Sequence, residues 1–196
     1  MEKKTARLEA FSDGIFGVAI TLLAIEIGIA EYSDATNMNL WEKIVEKWPE
    51  YFAYFNSFAT VLLIWMGHHQ MINNLLIPNQ KIILLNGLVL LTIVLFPYPT
   101  KLVGTFIDTP AINTAVAFYA GFTGFIVLIN APKLLIEPHK IIPWYKNMIK
   151  GQIIAILVYL SAACIAFYQP YIALGITFLM WVFWAFYTKD NFEEFN

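Results

Sequence analysis

"RLEAFSDGIFGVAITLLAIEI", residues 7–27, decides how this chain is read. From Gly14 to Ile25 twelve residues carry no charge, with Asp13 directly before them and Glu26 directly after. Twelve helical residues cover about 18 Å, against about 30 Å for the hydrocarbon core of a bilayer. A spanning helix built on this stretch must bring Asp13 or Glu26 toward the hydrocarbon or into an aqueous cavity. A carboxylate at mid-depth costs about 2.5 kcal/mol or more, so it faces protein or water. The modest alternative is that Ser12 or Asp13 merely caps the helix. Against it, the positions three residues on hold Ile15 and Phe16, where a capping box would carry Glu or Gln.

At 100° per residue, Asp13, Gly17, Ile20 and Ala24 share one side of the helix, and Phe11, Val18, Leu22 and Ile25 share another. Gly17 and Ala24 are small, which predicts close packing on a neighbouring helix. The Val18 face could meet lipid, a neighbouring helix or copies of itself.

The rest of the chain supports a membrane reading. Of 196 residues, 59% are hydrophobic and 13% charged, where a soluble domain carries about 25% charge. The mean hydropathy is +0.64. The polar surface is too small to solubilise a globule of this size, so lipid is the natural solvent. A net charge of -2 without a basic face argues against a nucleic-acid partner. The single cysteine, Cys164, excludes an internal disulfide and a cysteine-based metal site. Lysines before an apolar run resemble a signal peptide, but Glu26 stands where the small-residue cleavage site belongs, so the first helix is expected to be retained.

Six spans are expected, making an all-α, polytopic membrane protein with one domain over residues 1–196. They run over roughly 8–30, 51–72, 81–106, 110–131, 151–168 and 171–187, the third interrupted by Pro97 and Pro99. Between the first two, Leu40, Ile44, Val45 and Trp48 fall at helical spacing and suit the membrane interface. With the N-terminus in the cytoplasm, the inner segments hold Lys3, Lys4, Arg7, Lys81, Lys133, Lys140, Lys146, Lys150 and Lys189. The outer segments hold only Lys43, Lys47 and Lys101. This asymmetry puts both termini in the cytoplasm of a cell-membrane protein.

Polar groups in later spans are candidate partners for Asp13. Trp65 and His69 are four apart and share a helix face, His68 points about 100° away, and Asn86 lies in the third span. Each is ordinarily a helix–helix hydrogen bond. Neighbouring histidines cannot easily share one ion, so no metal and no cofactor is expected. No nucleophile or metal cluster at helical spacing suggests an intramembrane enzyme. Pro97, Pro99 and Pro170 could break helices in a small secondary transporter, yet neither a repeat nor extra spans accompany them.

Arg7-x-x-x-Phe11-Ser12-Asp13 opening the first span resembles the signature of the transmembrane-protein-175 family of endosomal and lysosomal potassium channels. "WMGHH" of the second span and "LFPYPT" of the third are also similar to its bacterial members. The resemblance implies a homotetramer whose first helix lines a central pore. It implies a structural hub of Arg7, Phe11, Ser12, Asp13, Trp65, His69 and Asn86, in which Ser12 and Asp13 bond to His69 and Asn86. It also implies apolar pore rings at Val18, Leu22 and Ile25 with Thr21 alongside, and modest selectivity for potassium ions over sodium. A TVGYG-type carbonyl filter is missing: the nearest string is "LVGTF" at 102–106. Where relatives usually carry Ile or Leu at the narrowest ring, Val18 is one methylene smaller. Proton conduction, or a weakly selective cation leak, is the alternative within the channel reading.

Overall fold

The computed structural model describes residues 5–28, 36, 39–73, 79–131 and 143–192. Lys3, Lys4, Lys133, Lys140 and Asn196 lie outside the described residues, as do positions 29–30 of the expected first span. Among the described residues the chain forms eight α-helices: α1 Ala6–Ile25, α2 Leu40–Glu46, α3 Trp48–Asn73, α4 Gln80–Val94, α5 Pro97–Phe106, α6 Ile112–Asn130, α7 Pro143–Ala166 and α8 Pro170–Phe192. The all-α expectation holds.

Helix α1 starts at Ala6, with Thr5 before it. Ser12 and Asp13 therefore sit inside the helix, which removes the capping alternative. Its 20 residues measure about 30 Å, enough to cross the hydrocarbon core only with Asp13 included. The expected break in the third span is real. Helix α4 ends at Val94, and α5 opens with Pro97 in its first turn, where a missing N–H removes no helical bond. Asn79 caps α4 by accepting the Ile82 N–H at 2.9 Å. Helix α7 begins at Pro143, ahead of the expected fifth span, so Lys146 and Lys150 belong to a helix rather than a loop. Proline suits a first turn and lysine is a good helix former, so the charges did not mark a boundary.

Among the described residues, four helical stretches are long and apolar enough to cross a membrane: Ala6–Ile25, Gln80–Phe106, Ile112–Asn130 and Asn147–Ala166. The apolar part of α8, Pro170–Phe186, is shorter. Helix α3 has 26 residues, but many of its side chains are polar.

Packing explains how a polar helix is accommodated. Helix α3 lies against α1, α5 and α8, while α6 runs along α7 and α7 along α8. One apolar core joins Phe16 and Leu23 of α1 to Val61, Ile93, Val103, Tyr119 and Leu174 of the other helices. Several polar groups of α3 turn into this interior and find partners there. Asn56 donates to Thr177 Oγ1 at 3.1 Å, Thr100 donates to Ser57 Oγ at 2.8 Å, and Ser57 donates to the Tyr119 hydroxyl at 3.2 Å. Gly124 lets α6 approach α7 closely, since a Cβ there would lie 3.2 Å from Tyr159 Cβ. The exterior carries large apolar side chains, among them Phe55, Leu84, Leu91, Leu128, Leu157 and Leu179, as a lipid-facing surface requires. Helix α2 has no buried residue; of the four residues expected at the interface, Leu40, Val45 and Trp48 are exposed and Ile44 is half-buried.

Candidate functional site

Helix α1 has two unlike sides. Ser12, Phe16, Ala19 and Leu23, at spacings of four and three, form its buried stripe. Around the other side Phe11 is 60% exposed, Val18 54% and Ile25 72%. Thr21 is exposed and Leu22 half-buried. The Thr21 hydroxyl donates to Val18 O at 2.7 Å, which leaves its oxygen lone pairs as acceptors.

The small-residue side did not pack as expected. Gly17 and Ala24 are exposed, and a Cβ on Gly14 or Gly17 would meet nothing within 4 Å. The buried stripe is rotated by about 100° from the Gly17–Ala24 face. Area decides it, since Phe16 and Leu23 remove far more apolar surface from solvent than Gly and Ala can. The chain therefore leaves a broad arc of α1 open, running from Ala24 and Gly17 round to Val18 and Phe11.

The N-terminal half of α1 is tied to two neighbours by polar bonds. Trp65 Nε1–H donates to Asp13 Oδ1 at 2.8 Å. His69 Nδ1 lies 3.4 Å from the same oxygen, and its Nε2 lies 3.5 Å from Glu9 Oε1. Ser12 Oγ accepts the Asn86 amide at 2.9 Å and donates to Leu8 O at 2.8 Å. Asp13 thus fastens α1 to α3, and Ser12 fastens it to α4. The spacing of Trp65 and His69 had placed both on one face, but not the indole N–H as the short contact. Glu9 was missed, although it stands four residues before Asp13 on the same helix. Asn86 reaches α1 through Ser12. Phe11 and Arg7 are both exposed, and neither joins these bonds among the described residues. His68 is buried instead, its ring 5.2 Å from that of Phe16.

One donor atom each from Glu9, Asp13 and His69 lies within 4.8 Å of the others, a set that could hold a cation. Asp13 Oδ1 already receives the Trp65 N–H, so the cluster reads as a hydrogen-bonded knot.

The other end of α1 is held by Lys101, and by Glu50 with Lys47; the two lysines enter the sequence analysis only through orientation. Lys101 Nζ donates to the Glu26 backbone oxygen at 2.8 Å and lies 4.0 Å from its Oε2. Glu50 Oε2 accepts the Gly28 N–H at 3.1 Å, and Lys47 Nζ is 3.0 Å from Glu50 Oε1.

Residues 7–97, which contain the whole Asp13 and Ser12 knot, match the family model described as endosomal/lysosomal potassium channel TMEM175. A potassium channel of Chamaesiphon minutus is 29% identical over 196 residues, covering 94% of this chain and 95% of that protein. The crystal structure of a lysosomal potassium-selective channel TMEM175 homolog from the same organism matches with a TM-score of 0.88 at 27% identity, covering 94% of this chain and 98% of that one. This chain belongs to the TMEM175 family. The TMEM175 family consists of ion channels and not of enzymes. The bovine endosomal/lysosomal proton channel TMEM175 is 31% identical over 138 residues, which cover 64% of this chain but 29% of that protein. The chain therefore spans under a third of the animal TMEM175 protein it resembles.

Proposed function

We propose that four copies of this chain form a cell-membrane channel that conducts potassium ions, modestly preferred over sodium, through a pore lined by α1. The observation that carries this reading is the arc of α1 with Phe11, Val18 and Ile25 exposed while the opposite stripe is buried. A helix fastened to its own subunit on one side and apolar on the other suits assembly around a shared axis. Rings of Val18, Leu22 and Ile25 offer an ion no ligands, so the ion keeps part of its water. Potassium releases water more readily than sodium, and four Thr21 oxygens add weak acceptors beside the neck. Modest selectivity follows without a carbonyl filter.

The six-span plan, with residues 1–196 as one channel unit, is part of the proposal. Helix α3 measures about 39 Å, and its polar residues Asn56, Ser57, Thr60 and His68 are buried, so its low hydropathy is no bar to crossing. Helices α4 and α5 count as one broken span, and both termini lie in the cytoplasm. Arg7, Phe11, Ser12, Asp13, Trp65, His69 and Asn86 form the hub that fixes the inner end of α1. Arg7 and Phe11, open on one subunit, contribute there only through neighbouring copies.

Purified protein in planar bilayers between potassium and sodium solutions should pass current that reverses at a potential favouring potassium. A reversal at zero removes the selectivity, and saturable flux without unitary currents removes the channel. The name of the animal relatives supports a second reading, proton conduction. With potassium and sodium replaced by a bulky organic cation, a pH gradient then sets the reversal potential. The topology is checked separately. In a Cys164→Ser background, cysteines at 43 and 101 should react with an impermeant thiol reagent in intact cells, and one at 140 should not. Labelling of positions 43 and 140 from the same side sinks the six-span plan.

A further inference from the structure

We infer that Lys101 is a positioning and charge-neutralising residue of the channel's outer mouth, where it restrains the attraction of cations by Glu26. The inference rests on α1 lining the pore. Glu26 is the first charged residue after the apolar run, at the C-terminal end of α1. That end also presents backbone carbonyls without helical partners, a second source of negative potential. The Lys101 ammonium meets both. It bonds to the Glu26 carbonyl at 2.8 Å and stands 4.0 Å from the Glu26 carboxylate.

Lys101 comes from α5, and the break before Pro97 is what carries the chain back toward α1 at this level. An open cleft of about 280 Å³ is lined by Leu22, Glu26, Tyr98 and Lys101. Both charged side chains reach solvent there, at 37% exposure for Glu26 and 40% for Lys101. The neighbouring acid, Glu50, is engaged by Lys47 and by the Gly28 N–H, so Lys101 is the cation assigned to Glu26. Around a fourfold axis the pair repeats as a ring of carboxylates, each balanced by one ammonium. Rings of carboxylates concentrate cations at a pore mouth. Here the balance holds that effect down, and the bond to the carbonyl keeps the helix end in place.

The test uses two variants with opposite expected signs. Lys101→Met leaves the carboxylates unmatched, and unitary potassium conductance at about 20 mM salt should rise about two- to threefold. It should return to the wild-type value at about 1 M, where the screening length falls to about 3 Å. Glu26→Gln leaves the ammoniums unmatched and should lower conductance at low salt by a similar factor. Lys101→Arg should behave as wild type. Damage to the helix end alone would move both variants the same way and independently of salt, and that result overturns the inference. Should Lys101→Met fail to assemble, Glu26→Gln still reads the same effect in a protein with every lysine in place. A Val18→Cys channel measured alongside separates the two levels. If thiol reagents in the pore block it while the charge variants are silent, only the role of Lys101 fails. If Val18→Cys is inert, the pore assignment beneath it fails.

Discussion

A channel carrying Val18→Cys, in the Cys164→Ser background, should lose roughly nine-tenths of its current to a water-soluble thiol reagent applied from either mouth, since in the proposed pore a bulky adduct would fill the apolar ring at Val18. Ile20→Cys should stay open under the same treatment. Val18 is 54% exposed on the free side of α1. Ile20, about 160° away, is half-buried and packed against the core. Shortening Val18 to Ala should widen the neck, let hydrated sodium pass and flatten the potassium preference. Val18→Asn should wet a closed neck and raise leak. Thr21→Val should weaken potassium preference while conduction persists, because it removes an oxygen but not the shape. Unchanged conductance and selectivity in every Val18 variant, with changes at Ile20, would place the pore elsewhere.

The second large effect is expected at Asp13. Asp13→Ala removes the acceptor of the Trp65 N–H at 2.8 Å and the carboxylate beside His69 at 3.4 Å. The loss should be about 1–2 kcal/mol per subunit. A fully buried orphaned donor costs about 1–3 kcal/mol and the Trp65 N–H is only partly buried, while the imidazole contact, with side chains a third exposed, adds little. A melting temperature in detergent lower by roughly 2–4 °C per kcal/mol follows, together with loss of the assembled oligomer. Asp13→Asn keeps an oxygen for Trp65 and loses the charge, so it should recover most of the stability. Trp65→Phe should cost about as much as Asp13→Ala. The double variant should cost little more than either, because both changes break one bond. Additive losses would mean that Asp13 and Trp65 act independently, and a wild-type melt of Asp13→Ala would make the carboxylate a solvated bystander.

Lipid as solvent, the all-helical class and the break near Pro97 were legible without coordinates. They depend on local chemistry: the scarcity of charge, runs of apolar residues long enough to cross, and the missing N–H of proline. The attachment of α1 to α3 near His69 was legible too, because a carboxylate next to a short apolar run must find donors and few polar groups exist in the neighbouring spans. The start of α7 was not: Lys146 and Lys150 read as part of a polar loop, whereas lysine is also a good helix former and both lie in α7.

What the sequence by itself determined is that α1 has an apolar span flanked by Asp13 and Glu26, and that Val18, Leu22 and Ile25 fall on one face of it. Helical periodicity groups residues by direction but does not say which direction is inside. Only the tertiary structure decided that, burying Phe16 and Leu23 in place of the Gly17–Ala24 side, because the neighbouring helices gain most by covering the largest apolar surface. The same holds for the partners of the flanking polar groups. Asn86 finds Ser12 across 74 positions, and Lys101 finds Glu26 across 75. Contacts at such separations have no local period, and they exist only once α4 and α5 have been packed against α1.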